Sequence, residues 1–153
     1  MSLVMRFDEI DGAVGRELGP TDWVVVDQET VNAFADATGD HQWIHTDVER
    51  AKAGPFGGTI AHGYLTLSMM PRFIGDAFKV TDASMMVNYG ADKIRFTNPV
   101  PVGAKVRMKG VLASAEPKGA GKLIKLDIQI EVDGVERPAL VASILFLAQP
   151  PAA

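Results

Sequence analysis

The chain contains no cysteine. This absence excludes a thiol nucleophile, a disulfide framework and thiolate ligands for a metal. The formal net charge is −4, so no excess of basic residues favours a nucleic-acid partner. No apolar run has the length of a membrane span, and residues 1–11 carry charges at Arg6, Asp8 and Glu9 where a signal peptide would be apolar. We therefore expect a cytoplasmic protein with neither nucleic acid nor a membrane as its partner.

Common catalytic motifs are also missing. The sequence has no Gly-x-Ser-x-Gly elbow, no phosphate-binding loop and no His-Glu-x-x-His zinc motif. His41, His45 and His62, together with Asp40 and Asp47, are residue types that can bind a metal. Without a recognised motif we expect no metal site here, and we expect no other cofactor.

The composition is that of one globular domain. The chain has 153 residues, of which 47% are apolar and 22% are charged, enough for one hydrophobic core. We expect a single domain over residues 1–153. Residues 1–19 are expected to form a lead-in with a short helix around Phe7 to Val14, and residues 149–153 a loose tail.

Three helices are predicted in the first half of the chain. Asp27 is a typical N-cap and Gly39 a typical stop for the first helix. Thr46-Asp-Val-Glu49 fits a capping box and predicts a short helix over 47–53. Residues 61–78 are apolar around most of the helical circumference, which predicts a central helix covered on all sides, with a kink or a break near Leu67 to Pro71.

The second half has the pattern of β-strands. Strands are predicted over 84–89, 93–96, 105–113 and 140–148. Over 123–132, apolar residues alternate with polar ones, which indicates a strand with one buried face. Asp133-Gly134 predicts a two-residue hairpin turn. A buried helix followed by antiparallel strands is an α+β fold with the sheet curled around the helix, and its edge strands favour a dimer.

Asp40 and His45 are the first candidates for chemistry. A carboxylate and an imidazole in one loop are often ordinary turn residues. If both side chains converge, they can hold one water molecule, remove its proton and supply a proton to a substrate carbon. Two such groups could catalyse the addition of water to a double bond, or the removal of water in the reverse reaction.

His62-Gly63 opens the central helix, and its glycines also let the chain turn and pack closely. The free Gly63 amide at this helix start could donate to a carbonyl oxygen that gains charge. His62 is a candidate substrate-binding residue or second base, with a capping or packing role as the alternative. Several apolar residues are open to two interpretations, as core or as the lining of an acyl tunnel: Phe56, Met69, Met70, Met85 and Met86.

Three blocks carry a resemblance to a known family. They are Ala37-Thr-Gly-Asp40-His-Gln-Trp-Ile-His45, Gly54-Pro-Phe-Gly-Gly-Thr-Ile-Ala-His62-Gly63 and Lys93-Ile-Arg-Phe-Thr-Asn-Pro-Val-Pro-Val-Gly103. In their order and spacing they resemble the MaoC-like dehydratase family, which includes the (R)-specific enoyl-CoA hydratases (hydratase 2). The likeness covers residues 21–147. One departure is Gln42-Trp43, where the family usually has Asn-Pro, so the rim of the pocket is expected to differ.

The resemblance implies a hotdog fold in homodimers whose sheets join edge to edge. It implies that Asp40 and His45 are the catalytic pair and that the Gly63 amide binds the thioester carbonyl. The implied reaction is reversible syn hydration of a trans-2-enoyl-CoA to an (R)-3-hydroxyacyl-CoA, without a metal or redox cofactor. The cations available to bind the phosphates of the coenzyme A carrier are Lys52, Arg72, Lys93 and Arg95.

Two other functions fit the same scaffold. An acyl-CoA thioesterase would aim the carboxylate and water at the thioester carbon. A non-catalytic acyl-binding or assembly subunit would bind the acyl thioester without turning it over.

Overall fold

A computed structural model describes residues 2–152 of the chain. Short helices fill the first half of the chain and four long strands fill the second. The elements are β1 (Leu3–Met5), β2 (Glu17–Leu18), β3 (Val24–Val25), α1 (Gln28–Thr38), α2 (Trp43–Thr46), α3 (Val48–Lys52), α4 (Gly63–Ser68), α5 (Met70–Ala77), β4 (Phe78–Val80), β5 (Met85–Phe96), β6 (Lys105–Lys118), β7 (Gly121–Val132) and β8 (Leu140–Gln149).

The amino-terminal segment is integrated into the domain. β1 pairs in parallel with β4, and β2 pairs with β6. Ile10 and Leu18 are fully buried in the core. The short helix predicted around Phe7 to Val14 is present as two 3-10 helices, Phe7–Glu9 and Asp11–Ala13, and not as one continuous helix. Gly12 lies in its middle, and glycine disfavours a continuous α-helix.

The main sheet has six strands in the order β2-β6-β7-β8-β5, with β3 also paired to β6, and all its pairs are antiparallel. The alternation predicted for β7 is confirmed, since its apolar residues are all buried: Ile124, Leu126, Ile128, Ile130 and Val132. These side chains belong to one core with Phe73 and Ile74 of α5. The core therefore lies between the helices and one face of the sheet.

The hairpin turns are placed differently from the prediction. Gly134 does adopt a left-handed φ of 74°, but β7 and β8 pair only as far as Ile130 and Leu140, so a longer loop joins them. The end of β7 is held on its other side, where Val132 pairs with Val106. The tight hairpin joins β6 to β7 around Gly119, whose positive φ of 58° suits a type II′ turn.

Two predicted strands, 84–89 and 93–96, form the single strand β5. The strand continues past Gly90 because register shifts absorb the irregularity, one between Asn88 and Gly90 and one between Asp92 and Arg95. β5 pairs with β8 on one side and is the edge of the sheet.

The predicted interruption of the central helix is confirmed. α4 ends and α5 begins around Met69, and Pro71 lies in the first turn of α5, where a backbone donor is not needed. The prediction that this helix is covered on all sides is wrong for the single chain. Phe73 is fully buried, whereas Tyr64 is 69% exposed, because the sheet covers only one face of the helix.

Within residues 2–152, no helix combines the length and the apolar character needed to cross a membrane.

Candidate active site

Helix α1 ends where the candidate site begins. Asp27 caps its start by accepting a hydrogen bond from the Thr30 N–H at 2.8 Å, and this bond lowers the pKa of the Asp27 carboxyl. Gly39 ends the helix with a left-handed φ of 80°, a conformation that glycine adopts without strain. Asp40 follows immediately, so the helix stop fixes where its carboxylate enters the turn.

His45 lies in the short helix α2 and is only 6% exposed. Its Nδ1 is 2.7 Å from the Ile60 carbonyl oxygen. A carbonyl oxygen can only accept, so Nδ1 carries a proton, and in the neutral imidazole the lone pair is then on Nε2. The imidazole is therefore held as an acceptor, with Nε2 available to a ligand.

Gln28 fixes the backbone around this histidine. Its Nε2 donates to the His45 carbonyl oxygen at 2.8 Å and to Asn32 Oδ1 at 2.9 Å. Its Oε1 accepts from the Thr59 hydroxyl at 2.6 Å. Sequence reasoning missed Gln28 and Thr59, because these contacts join residues 17 and 31 positions apart and no local pattern marks them.

The capping box predicted at Thr46 is shifted by one residue. Asp47 is the N-cap of α3 and accepts from the Arg50 N–H at 3.0 Å. Thr46 remains the last residue of α2 and donates its hydroxyl to the carbonyl oxygens of His41 and Gln42. α2 and α3 thus follow each other almost without a loop, which keeps His45 on a rigid element.

His62 is 2% exposed and lies directly against His45. The two rings are stacked with centroids 3.9 Å apart and planes 25° apart. His62 Nε2 donates to the Asp40 carbonyl oxygen at 2.9 Å. The ring also packs against Phe34, with centroids 4.9 Å apart. His62 therefore contacts both of the residues singled out as a catalytic pair.

Asp40 is exposed to solvent beside these rings. One carboxylate oxygen of Asp40 and one ring nitrogen from each of His45 and His62 lie within 4.8 Å of one another. A water molecule bonded to two such groups separates them by roughly 4.5 Å. Asp40 and His45 are therefore close enough to share one water molecule. The stacked rings are less suited to a shared metal ion, because nearly parallel imidazoles do not direct their lone pairs to one tetrahedral centre.

Gly63 is the first residue of α4, so its N–H has no acceptor within the helix. A Cβ added here would lie 3.0 Å from the Phe96 ring. Glycine therefore suits this close approach of the Phe96 ring to the helix start, because a methyl group here would require the ring to move by a few tenths of an ångström. Phe96 in turn contacts Tyr64 edge to face.

A cavity of about 290 Å³ connects His45 with Gly63. Its other lining residues come from the loop before α4, from α4, from the end of β5 and the segment after it, and from the position before β8: Phe56, Ile60, Ala61, Thr66, Phe96, Thr97, Asn98, Pro99, Val100 and Ala139. Of the five candidates for an acyl tunnel, Phe56 is in this lining and the four methionines are not. Asp40 is also outside the lining.

Two other residues in the Asp40–His45 turn face away from the cavity. His41 binds Asp36 at 2.8 Å on the exposed side, and this hydrogen bond raises the pKa of His41. Trp43 packs against Gly54 and lies under the Arg50 guanidinium, 4.3 Å from its ring centroid. The large ring at this position therefore stabilises the connection between α2 and α3.

The cations suggested for the carrier's phosphates are dispersed. Lys52 pairs with Glu49 at 2.7 Å. Lys93 lines a separate cleft of about 860 Å³, together with Lys109 and Lys125 of the sheet. Arg95 donates to the carbonyl oxygen of its neighbour Ile94.

Comparisons of the sequence with family models and with known proteins agree on one family. A model of the MaoC like domain matches residues 9–133. The 3-hydroxyacyl-thioester dehydratase Z of Mycobacterium tuberculosis is 48% identical over 135 residues, covering 88% of this chain and 89% of that protein. Nodulation protein N of Rhizobium leguminosarum bv. viciae is 43% identical over 145 residues, covering 92% and 89%.

Among solved structures, an (R)-hydratase from A. caviae superposes with a TM-score of 0.72 at 21% identity, covering 90% of this chain and 96% of that one. At this identity the likeness shows the fold. The expected α+β hotdog architecture, with a central helix against a curved antiparallel sheet, is confirmed.

Proposed function

The chain belongs to the MaoC-like domain family, and from this premise we propose that it catalyses the reversible hydration of a trans-2-enoyl-CoA to an (R)-3-hydroxyacyl-CoA. The observation that carries the proposal is the grouping of an Asp40 oxygen and a His45 nitrogen within 4.8 Å, beside a cavity that also reaches Gly63. The relative named as a 3-hydroxyacyl-thioester dehydratase supports the same chemistry, run in the direction of water loss.

Asp40 and His45 hold and activate the water in this proposal. His45 Nε2 carries a lone pair because Nδ1 donates to Ile60, and an ionised Asp40 carboxylate is also an acceptor. Each therefore accepts one hydrogen of the same water. As the water oxygen bonds to C3 of the substrate, one of the two groups takes its proton. That proton then passes to C2, so the site returns to its starting state with one water added and no net proton gained.

The Gly63 amide stabilises the charge that forms between these two steps. When oxygen adds to C3, the π electrons of the double bond move toward the thioester carbonyl and give an enolate. A backbone N–H at the start of a helix is suited to bind this oxygen. Both proton transfers occur on the face that carries Asp40 and His45, which is consistent with syn addition.

We also propose a homodimer in the cytoplasm. β5 is a 12-residue edge strand with one free side, and it carries exposed Met85, Val87 and Tyr89. A long edge of this kind favours pairing with a second copy. Sedimentation should give a dimer, and Val87→Lys should shift it toward monomer. A monomeric wild type would contradict this part of the proposal.

The reaction is tested with crotonyl-CoA, by following loss of the absorbance of the conjugated thioester. Asp40→Asn and His45→Gln should each lower kcat by about 10²–10⁴-fold, the usual loss of a general acid or base. Matched controls lie close by, on the end of α1 and on the turn itself: Asp36→Asn and His41→Gln alter an exposed carboxylate–histidine pair and should leave kcat within twofold. Chiral analysis of the product should give the (R) isomer.

Several results would overturn the proposal. Wild-type turnover no faster than that of both site variants, for short and long acyl chains, would exclude hydration. Release of free thiol from a saturated acyl-CoA would instead indicate a thioesterase. Tight binding of acyl-CoA with neither reaction would indicate a non-catalytic acyl-binding subunit.

A further inference from the structure

His62 contains an unusual polar atom. Within residues 2–152, its Nδ1 is the one buried side-chain nitrogen or oxygen without a hydrogen-bond partner. Stranding such an atom costs about 1–3 kcal/mol, and native structures contain few of them. A phenylalanine would fill the same space against Phe34 and His45 without that cost. The imidazole must therefore supply something that a hydrocarbon ring does not.

The other ring nitrogen, Nε2, makes a hydrogen bond that a hydrocarbon ring cannot make. Nε2 donates to the Asp40 carbonyl oxygen at 2.9 Å, which fixes the Nε2–H tautomer and leaves the lone pair on Nδ1. The bond goes to the main chain, so the Asp40 carboxylate remains free. That carboxylate has only a weak local anchor, since its Oδ1 accepts from the Gln42 N–H at 3.3 Å. The position of the carboxylate thus depends on the backbone that His62 holds.

The flat face of His62 restrains the second group. The His45 ring is bound at its edge by Ile60, and His62 stacks on its face at 3.9 Å. Edge and face contacts together leave the ring little freedom to rotate. The next residue along the chain is Gly63, for which His62 is the N-cap with ψ of 139°.

We propose that His62 is a positioning residue that aligns Asp40, His45 and the Gly63 amide as one unit. This role rests on the proposed hydration. It differs from a substrate-binding role, because the His62 ring is buried and is not part of the cavity lining. A His62 variant that misaligns these groups but still binds the substrate should have a lower kcat and a nearly unchanged KM.

Two variants separate the functions of the ring. His62→Phe keeps an aromatic face for His45 and removes the donor to Asp40. His62→Gln keeps an amide donor near the Nε2 position and removes the aromatic face. We expect His62→Phe to lower kcat by about 10–100-fold, the scale of a misplacement near 1 Å, with KM within threefold. His62→Gln should recover part of that loss, and His41→Gln is the histidine control.

A double-mutant cycle then tests whether His62 acts through Asp40. Adding His62→Phe to Asp40→Asn should lower kcat less than threefold further, because the aligned groups act as one unit and losses within such a unit are not additive. A merely structural histidine would give additive losses and would change stability in parallel, which thermal unfolding of each variant measures. Additive losses, or wild-type kcat in His62→Phe, would overturn the proposal.

A measurement that does not depend on catalytic activity tests the positioning role of His62 separately from the proposed hydratase reaction. Long-range ¹H–¹⁵N NMR reports the tautomer of each of the three histidines. We expect the Nε2–H tautomer for His62 and the Nδ1–H tautomer for His45, and loss of the uniform His45 tautomer in His62→Gln. An Nδ1–H tautomer for His62 would exclude its bond to Asp40 and overturn the positioning role, whether or not crotonyl-CoA is hydrated.

Discussion

Strand β7 and the turn from Asp40 to His45 are held by different kinds of contact. β7 pairs with a neighbour on each side over most of its length, and its buried face is a row of interchangeable apolar side chains. The turn is held by a few specific hydrogen bonds to distant residues, among them Gln28 and Ile60. The sheet therefore stabilises the domain through the apolar surface area that it buries. The turn positions the candidate catalytic side chains through the direction of its hydrogen bonds. Substitutions in the two regions should have separable effects.

The largest expected effect is on stability and lies in the sheet. Leu126 is fully buried, and Leu126→Ala should lower the free energy of unfolding by about 2–5 kcal/mol, as for other core truncations. The kcat per folded molecule should stay near that of the wild type. Lys125→Ala, at the next position on the opposite face, should change stability by less than about 0.5 kcal/mol. Urea unfolding and crotonyl-CoA turnover measure the two quantities, and a parallel loss of kcat would show that the regions are coupled.

The next largest effect is on activity and lies at the helix start. Gly63→Ala places a Cβ 3.0 Å from the Phe96 ring and displaces the amide that faces the carbonyl. The variant keeps the N–H but shifts it, so we expect kcat/KM to fall by about 10–100-fold, the scale of a misplacement near 1 Å. Gly75→Ala in α5 is the control, because its Cβ meets no atom within 4 Å. Undiminished turnover in Gly63→Ala would contradict the inference that close packing of Phe96 requires glycine at the helix start.

Gln28→Ala is expected to affect both regions. It leaves the His45 carbonyl and the Thr59 hydroxyl without their partner, which should lower the free energy of unfolding by about 1–3 kcal/mol and lower kcat as well. Asn32→Ala removes only the outer contact of the same amide and should change neither quantity measurably. Thermal unfolding and turnover of both variants provide the test. Equal effects of the two would mean that the inner hydrogen bonds contribute nothing.

The smallest effect concerns pH and lies on the outer face of the sheet. Burial alone would raise the pKa of the Glu131 carboxyl, but hydrogen bonds from Lys109 and Arg107 outweigh it and lower this pKa below its ordinary value. The ion pairs therefore stabilise the fold above the unfolded-state pKa, and their contribution disappears as pH falls through the lower folded-state pKa. Glu131→Gln should lower stability by less than about 1 kcal/mol near neutral pH, with a difference that vanishes in acid. A difference that grows in acid would contradict this assignment.

The same contrast explains what could be predicted from the sequence. The alternation in β7, the cap and stop of α1 and the interruption near Pro71 are local patterns, and the structure confirms them. The Gln28 and Thr59 hydrogen bonds and the stacking of His62 on His45 are long-range, so no local pattern contains them. At Asp133-Gly134 the local signal predicts a turn, and a turn forms there, with the Val135 N–H donating to the Val132 carbonyl oxygen at 3.1 Å. Its place in a longer loop depends on where β7 and β8 stop pairing, at Ile130 and Leu140, which the two residues do not encode.

The interruption at Met69 divides the central helix into two segments. α4 has six residues and carries Gly63 at its start, whereas α5 has eight and contributes Phe73 and Ile74 to the core. The direction of the Gly63 N–H is thus set by a segment that is not continuous with the most deeply packed one. Side chains of α5 can be exchanged for others of similar volume without re-aiming that amide, so the domain can adjust its stability while its chemistry stays the same.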